Sequence, residues 1–342
     1  ALAAGNRALL KPSEFVPETA ALFAEVVPRY FAEEEVAVVT GGAAISQQFA
    51  ELPFDHLLFT GSTRIGAKVM QSAAKNLVPV TLELGGKSPV VIGRSAKVEL
   101  AGTRLTFGKL LNGGQLCLSP DYVLVPEELE AQLIARVVSE TQSMYPNITE
   151  NTDYAGVFDE RHFARLLGYI DDAVAKGAKL TIVGADKTRA SESNRRMPLH
   201  ILQNVTEDMQ VMHEEIFGPI LPVMTYNDIT EVPDKIEPRR NPLALYYFGK
   251  DKAEQEYLLN HVPSGGACIN DITLHYVQED LPFGGVGSSG MGAYHGPEGF
   301  RNMSHGRAIY SQTMIDILPI IGARPPFGEK FRKNIGKILG AI

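Results

Sequence analysis

The sequence predicts an α/β protein built on parallel sheets, and three observations support this class. Short apolar runs alternate with segments of helical periodicity over residues 6–84. A similar alternation resumes after the Gly85–Gly86 pair. Of the 342 residues, 44% are hydrophobic and only 21% are charged, which is enough apolar material to build the cores of about two domains. Strands that alternate with helices are typical of parallel sheets with crossover helices.

The first segment is predicted to contain strands joined by short helical crossovers. The apolar runs at 7–10, 36–40, 57–60 and 80–84 have the length and composition of buried strands. Helical spacing of apolar residues predicts helices at 18–31, 42–52 and 63–77. Ser62 is the expected N-cap of the last of these helices.

The chain after Gly86 is predicted to form a second α/β region. Helices are expected at 97–110, 127–144 and 160–176, and strands at 122–125, 180–183 and 243–248. The polar stretch 186–196 predicts an exposed loop, and the glycine-rich stretch 284–299 predicts irregular backbone. Residues 327–342 interleave basic and apolar side chains. This pattern predicts an amphipathic helix that packs on the body or on a partner subunit, or else contacts a membrane surface weakly.

Composition argues against several classes of function. The net charge of −8 argues against broad binding to nucleic acid, and no apolar run approaches the ~18 residues of a transmembrane helix. Cys117 and Cys268 belong to no CxxC or Cys/His cluster, so neither a disulfide framework nor a metal site is expected. The opening residues lack the regions of a signal peptide, so the expected compartment is the cytoplasm. Because residue 1 is Ala, we expect the chain to begin partway through a longer protein.

Two loops that follow predicted strands are candidates for nucleotide binding. Gly61–Gly66 follows a strand and opens a helix, but Thr63 replaces the middle glycine of a dinucleotide fingerprint. The helix N-terminus at Ser62 still favours a phosphate, although a capped turn explains the same residues. Lys11 and Glu14 follow the first strand, where they can bond ribose hydroxyls or form a solvated surface turn.

Glu83 and Cys117 are the candidates for chemistry. Glu83 alternates with leucines at the end of a predicted buried strand, where a desolvated carboxylate has a raised pKa and can act as a general base. The alternative for Glu83 is a structural ion pair. Cys117 follows the Gly113–Gly114 pair, which lets a loop approach a ligand, but most lone cysteines are small core residues. Cys268 lies in an apolar run and is the more typical core cysteine.

Six strings, in this order, resemble the aldehyde dehydrogenase superfamily. They are LKPSE at 10–14, FTGSTRIG at 59–66, LELGGKSP at 82–89, GQLC at 114–117, EEIFGP at 214–219 and LPFGGVGSSGMGAYHG at 281–296. The tail ARPPFGEKFRK after SHGRAIY is similar to the class 3 branch, most closely the coniferyl aldehyde dehydrogenases. The resemblance implies an aldehyde dehydrogenase-like fold in three parts. These are a partial Rossmann-type coenzyme-binding domain over 1–84, an α/β catalytic domain over 85–285, and a return segment and tail over 286–342 that contacts the coenzyme domain or another subunit.

The resemblance also implies roles for individual residues. Cys117 would attack the carbonyl carbon of an aldehyde substrate, aromatic or long-chain, and Glu83 would activate the water that hydrolyses the resulting thioester. Phe283 would line the substrate pocket. The coenzyme would be NAD, with NADP as the alternative, and a homodimer is expected. The residues that would hold the coenzyme are Lys11, Glu14, Gly61, Ser62, Glu215 and Phe217.

Alternative functions stay open at this point. The family's tryptophan-containing PWN motif, whose Asn donates to the oxyanion beside the amide of the nucleophile, does not occur in this sequence. One lost oxyanion donor typically removes roughly 2.7–4 kcal/mol of transition-state stabilisation. A catalytically inert chain, or a binding or structural relative of the family, is therefore the main alternative. Two further alternatives are an esterase and an enzyme that transfers the acyl group of the thioester to coenzyme A. Glu83 argues against the transfer to coenzyme A, because a water that it activates would hydrolyse the thioester.

Overall fold

The computed structural model describes residues 1–184, 190, 193–239 and 241–340. These residues form two compact units, Ala1–Ser304 and His305–Ile342. The smaller unit contains α10 (Ile317–Ile320) and α11 (Glu329–Leu339), and α11 confirms the predicted helix in the tail. In the described part of the chain, no helix is long and apolar enough to cross a membrane. The predicted domain boundaries at 84 and 285 stay a prediction.

Two small sheets of the larger unit are built mainly from the first hundred residues. β1 (Ala8–Leu10) and β2 (Val36–Val38) pair in parallel. β3 (Leu57–Gly61) and β4 (Val80–Leu84) also pair in parallel, and β12 (Gly290–Met291) pairs with β4 in the antiparallel direction. The helices of this region are α1 (Pro17–Val26), α2 (Ala43–Ala50) and α3 (Thr63–Ala74). Every strand predicted in the first segment is therefore confirmed, with small changes of length.

A seven-stranded sheet forms the centre of the larger unit, in the order β11-β10-β5-β6-β9-β8-β7. Its strands are β5 (Pro89–Ile92), β6 (Tyr122–Pro126), β7 (Lys179–Val183), β8 (Leu199–Gln203), β9 (Ile220–Tyr226), β10 (Ala244–Phe248) and β11 (Gly266–Ile269). The remaining helices are α4 (Val98–Leu110), α5 (Glu130–Met144), α6 (Glu160–Ala175), α7 (Val232–Ile236), α8 (Lys252–His261) and α9 (Gly296–Asn302). Only the pair β7–β8 is antiparallel in this sheet as described.

Both faces of the central sheet are covered. Along β5 and β6, Val90 and Val123 belong to one hydrophobic cluster, whereas Val91 and Leu124 belong to another. All four side chains are fully buried. Because alternate residues of a strand point to opposite faces, the two clusters are the cores on either side of the sheet.

The sequence patterns missed β5, β8, β9 and β11, and proline explains the misses of β5 and β9. β5 has only four residues and opens with Pro89 directly after a loop motif, and β9 carries Pro222 in its interior. Proline lowers the apparent strand character of a run because it donates no ladder hydrogen bond. The helix predicted at 18–31 ends at Val26, and a 3-10 turn with Pro28 follows. The predicted irregular stretch 284–299 does include the short β12 and the start of α9.

Most of the loop predicted at 186–196 lies outside the described residues.

Candidate functional site

Glu83 lies in the middle of its small sheet, between two neighbouring strands. It pairs with Thr60 of β3 on one side and with Gly290 of β12 on the other. Its side chain is buried, and neither carboxylate oxygen has a hydrogen-bond partner among the described residues. Burial raises the pKa of Glu83 to about 8. A carboxylate with this pKa can accept a proton near neutral pH, which is the property predicted for a general base.

The loop that carries Cys117 has a backbone that only small residues can follow. After α4 the chain turns through Asn112, Gly113 and Gly114, all with positive φ, of 51°, 64° and 75°. A Cβ atom on Gly114 would lie 2.6 Å from the carbonyl oxygen of Gly218. The loop therefore packs directly on the backbone of the segment that follows Glu215.

Gln115 anchors the same loop from the other side. Its side-chain amide donates to the carbonyl oxygens of Asn112 (2.9 Å) and Gly156 (3.0 Å). Its side-chain oxygen accepts from the amide of Phe158 at 2.9 Å. Three hydrogen bonds on one buried side chain restrict the position of Cys117, two residues further on.

Cys117 lies close enough to two carboxyl groups for their charges to interact with its thiol. Burial, then Glu215, then Glu83 raise the pKa of Cys117 to about 11, against an opposing effect of the amides of Cys117 and Leu118. Burial and then Tyr276 raise the pKa of the Tyr294 hydroxyl, and the charges of Glu83 and Cys117 add smaller contributions. The structure therefore brings Cys117, Glu83 and Glu215 together. At neutral pH this cysteine is a thiol, so a base must take its proton before it can attack a carbonyl.

A buried ion pair positions the loop that carries Glu215. The Lys87 ammonium contacts the Asp121 carboxylate and donates to the carbonyl oxygens of Val211 (2.8 Å) and Glu214 (3.0 Å). The second oxygen of Asp121 accepts from the amide of Ile216 at 2.9 Å. Sequence reasoning missed both members of this pair. Lys87 lies inside the quoted string LELGGKSP, which was the available signal.

The Glu215 carboxylate lies directly over Gly85, the glycine that follows β4. A Cβ atom on Gly85 would be 1.7 Å from one Glu215 oxygen, and the backbone of Gly86 is close enough to oppose the rise in the pKa of this carboxylate. Burial and then the charge of Asp121 raise the pKa of Glu215 to about 8. Arg165 donates to the carbonyl oxygen of Glu215 itself at 3.2 Å. The Glu215 carboxylate can therefore occupy this position only because residue 85 is a glycine.

The carboxyl ends of β3 and β4 meet beside Glu215. Gly61 pairs with Leu84, one residue before Gly85. Ser62 occupies the N-cap position of α3 as predicted, but its side chain makes no capping hydrogen bond. A Cβ atom on Gly66 would lie 2.5 Å from Leu84, so this glycine lets α3 pack closely on β4. Since the Ser62 hydroxyl makes no capping bond, it can bond a ligand group at the positive end of the helix dipole.

Lys11 and Glu14 form an ion pair, with 3.0 Å between the ammonium nitrogen and a carboxylate oxygen. A backbone hydrogen bond and the bond from Lys11 lower the pKa of Glu14. The ring centroid of the next residue, Phe15, lies 5.1 Å from that of Phe158. The ring centroid of Phe158 lies 6.3 Å from that of Phe217. These ring contacts join the loop after β1 to the loop that carries Phe217.

Phe283 is buried in the hydrophobic cluster against which Cys117 packs. Its ring centroid lies 5.0 Å from that of Tyr276, 5.7 Å from that of Tyr294 and 5.3 Å from that of His295. Cys268 packs against the same cluster, but both cysteines are partly buried, so the structure does not single out Cys268 as the core cysteine. The predicted pocket residue therefore belongs to a group of aromatic rings beside the thiol.

Comparison with known proteins matches nearly all of this chain. The model described as "Aldehyde dehydrogenase family" matches residues 1–309. A "Probable coniferyl aldehyde dehydrogenase" of Caulobacter vibrioides is 48% identical over 334 residues, which are 97% of this chain and 69% of that protein. "Aldehyde dehydrogenase family 3 member A2" of Mus musculus is 41% identical over 308 residues, which are 90% of this chain and 62% of that protein.

Solved structures of similar proteins share the fold. One is the substrate-bound state of Staphylococcus aureus AldH, with 37% identity, a TM-score of 0.89, and coverage of 99% of this chain and 72% of that one. Another is an NAD-dependent aldehyde dehydrogenase from Sinorhizobium meliloti, with 27% identity and a TM-score of 0.79. The match covers 90% of this chain and 63% of that one.

Proposed function

Because the chain belongs to the aldehyde dehydrogenase family, as its six sequence strings predicted, we propose that Cys117 and Glu83 carry out the aldehyde oxidation typical of this family. One observation carries the proposal. The thiol and the buried carboxylate lie near enough for their charges to interact, and the carboxylate has no other partner among the described residues. A nucleophile beside a base of raised pKa is the arrangement that covalent catalysis requires.

The proposed reaction has two stages on the sulfur of Cys117. The thiol loses its proton to solvent, and the thiolate attacks the carbonyl carbon to form the oxyanion of a thiohemiacetal. The former carbonyl carbon then loses a hydride and becomes a thioester. Water attacks the thioester carbon, Glu83 accepts the water proton, and the thiolate leaves with release of the carboxylic acid.

The residues near the thiol fit a nicotinamide dinucleotide, which when bound accepts the hydride. Glu215 over Gly85 and Phe217 would hold the nicotinamide ribose and ring. Gly61 and Ser62 would hold the phosphates at the start of α3, and Lys11 with Glu14 would hold the adenosine ribose. The Ser62 side chain, which makes no capping hydrogen bond in α3, and the ring contacts that join Phe15 to Phe217 support this placement.

NAD is the proposed coenzyme, with NADP as the alternative. The carboxylate of Glu14 would repel a 2'-phosphate on the ribose, and the lowered pKa of this group keeps it charged. The solved relative from Sinorhizobium meliloti is described as NAD-dependent.

The proposed substrate is an aromatic aldehyde. A relative of Caulobacter vibrioides is described as a probable coniferyl aldehyde dehydrogenase, and aromatic rings surround Phe283 in the cluster against which Cys117 packs. The position of Glu83 also argues against transfer of the acyl group to coenzyme A, because an activated water would hydrolyse the thioester first. A homodimer is proposed from the family resemblance, and sedimentation equilibrium tests it.

The test follows the absorbance of reduced nicotinamide with cinnamaldehyde and NAD. The unmodified protein should produce the signal, Cys117→Ala should abolish it, and Cys268→Ala should retain it as the matched cysteine control. Retained activity in Cys117→Ala, or an absence of activity with Cys117 intact, would overturn the proposal. Electrospray mass measurement of Glu83→Gln after addition of the aldehyde and NAD, which accepts the hydride, should detect the accumulated thioester on Cys117.

A further inference from the structure

Phe217 has a backbone conformation that bulky residues rarely adopt. Its φ is 50°, in the left-handed region, where the Cβ atom of any residue but glycine lies too close to the backbone. A phenylalanine in this conformation is strained, and such strain persists only where the surrounding structure fixes the chain. Because the Phe217 ring is the group proposed above to pack on the nicotinamide, the contacts that fix this residue bear on the coenzyme.

Arg165 of α6 fixes the two peptide groups that precede Phe217. Its guanidinium donates to the carbonyl oxygen of Glu215 at 3.2 Å and to that of Ile216 at 2.8 Å. The planar guanidinium suits this double contact because its nitrogens donate in fixed directions. The hydroxyl of Tyr169 accepts from the same guanidinium at 3.1 Å, and the Tyr169 ring centroid lies 5.1 Å from its central carbon. The guanidinium therefore has a fixed orientation toward the loop.

Further contacts hold the loop on both sides of the phenylalanine. The amide of Ile216 donates to Asp121 at 2.9 Å, so both backbone polar groups of this residue are held. On the other side, a Cβ atom on Gly218 would lie 2.6 Å from the Leu166 side chain, so the backbone there packs directly on α6. Arg165 contributes the contact that spans two successive carbonyl groups, and its loss would free both of them.

We propose that Arg165 is a positioning residue for the nicotinamide ring, on which it acts through Phe217. The inference rests on the proposed function, in which the Phe217 ring packs on the nicotinamide. Without the guanidinium, the carbonyl groups of Glu215 and Ile216 lose their donor, and the strained residue after them can relax to a negative φ. Its ring would then leave the position in which it packs on the coenzyme. The effect of Arg165 should therefore disappear once the ring of Phe217 is removed.

A double-mutant cycle on coenzyme binding tests the inference, in a Cys117→Ala background that cannot react. Calorimetry measures the Kd of NADH. We expect Arg165→Met to weaken NADH binding by about tenfold and Phe217→Ala to weaken it by a similar factor, since each removes an aromatic packing contact. The double variant should bind NADH no more than about twofold more weakly than Phe217→Ala alone, because residues that act as one unit are not additive.

Two controls separate positioning from general damage to the protein. ADP contains the adenosine and both phosphates but lacks the nicotinamide and its ribose, so its Kd should be the same in Arg165→Met and in the Cys117→Ala background. The matched control variant is Arg136→Met. It removes a partly buried arginine of α5 that donates to the Thr103 hydroxyl, and the Kd of NADH should not change.

The inference is overturned if Arg165→Met leaves NADH binding unchanged, weakens ADP binding equally, or weakens NADH binding by the same factor after Phe217→Ala. If Arg165→Met does not fold, Arg165→Lys replaces it, because lysine keeps the charge but cannot make the planar double contact. The same outcomes then decide. Failure of the proposed function looks different. In that case no aldehyde reduces NAD in the unmodified protein, whatever the binding cycle shows.

Discussion

Lys87 and Asp121 form an ion pair in which each side chain is only 3% exposed, and the pair holds both ends of the loop around Glu215. The ammonium donates to two carbonyl oxygens of that loop, and the free carboxylate oxygen accepts an amide of the same loop. The remaining hydrogen-bonding atoms of the pair are thus used. A buried pair that is fully hydrogen-bonded in this way fixes the backbone around it, whereas loss of one member leaves an uncompensated charge.

Lys87→Met should destabilise the protein by ~3–5 kcal/mol, because the Asp121 carboxylate would stay buried without its cation. Urea unfolding measures the change. The matched control is Arg94→Met, which breaks the exposed pair between Arg94 and Glu128 and should have a much smaller effect. If Lys87→Met is no more destabilising than Arg94→Met, the buried pair does not have the structural role described here.

The turnover rate should rise with pH through a pKa of about 8. Glu83 accepts a proton only as a carboxylate, and burial raises its pKa to about 8, so the active form predominates above that pH. Measurement of kcat from pH 6 to pH 10 checks this. Glu83→Gln should lower kcat by about 10²–10⁴-fold and remove the rise.

Glu215 provides the control for that profile, since its pKa is also raised to about 8. Glu215→Gln should increase the KM for the coenzyme and keep the rise of kcat with pH. If Glu215→Gln removes the rise and Glu83→Gln keeps it, the assignment of the base to Glu83 is wrong.

The stability of the protein should depend on pH through Glu83. Because the folded-state pKa is raised, the folded protein binds this proton more tightly than the unfolded chain does. The free energy of unfolding therefore falls as pH rises from about 4.5 through about 8. Glu83→Gln cannot ionise, so its stability relative to the unmodified protein should increase by a few kcal/mol between pH 4.5 and pH 9. Urea unfolding at both pH values measures this, and a pH-independent difference would contradict the burial of the ionised group.

Gly114→Ala should misplace the loop that carries Cys117. The added Cβ would lie 2.6 Å from the carbonyl oxygen of Gly218, and the residue would keep a φ of 75°, which is unfavourable for alanine. We expect a lower Tm and a loss of kcat of at least about tenfold. Gly168→Ala is the matched control because nothing lies within 4 Å of its Cβ position in α6. It should raise stability by about 0.5–1 kcal/mol and keep the activity of the unmodified protein.

Local sequence patterns were sufficient to predict those elements that are specified by their own residues, without contacts from distant parts of the chain. Alternation at the end of a buried strand located Glu83, and periodicity located α3 after Ser62. The pairing of Lys87 with Asp121 could not be predicted, because no local spacing shows which of the 40 acidic residues meets a given lysine. The sequence also placed Ser62 correctly as an N-cap residue but could not show that its side chain makes no capping bond.

The pairing of Gly290 with Glu83 has a consequence for how the protein folds while it is being synthesised. The strand on one side of Glu83 is synthesised early, and the strand on its other side comes only after residue 289. Until then, one edge of β4 is open while the ribosome completes the central sheet. An open edge is a template for pairing with another chain. Nascent chains that stall before residue 290 should therefore aggregate more readily than completed ones, and the carboxylate environment of Glu83 should form late in synthesis.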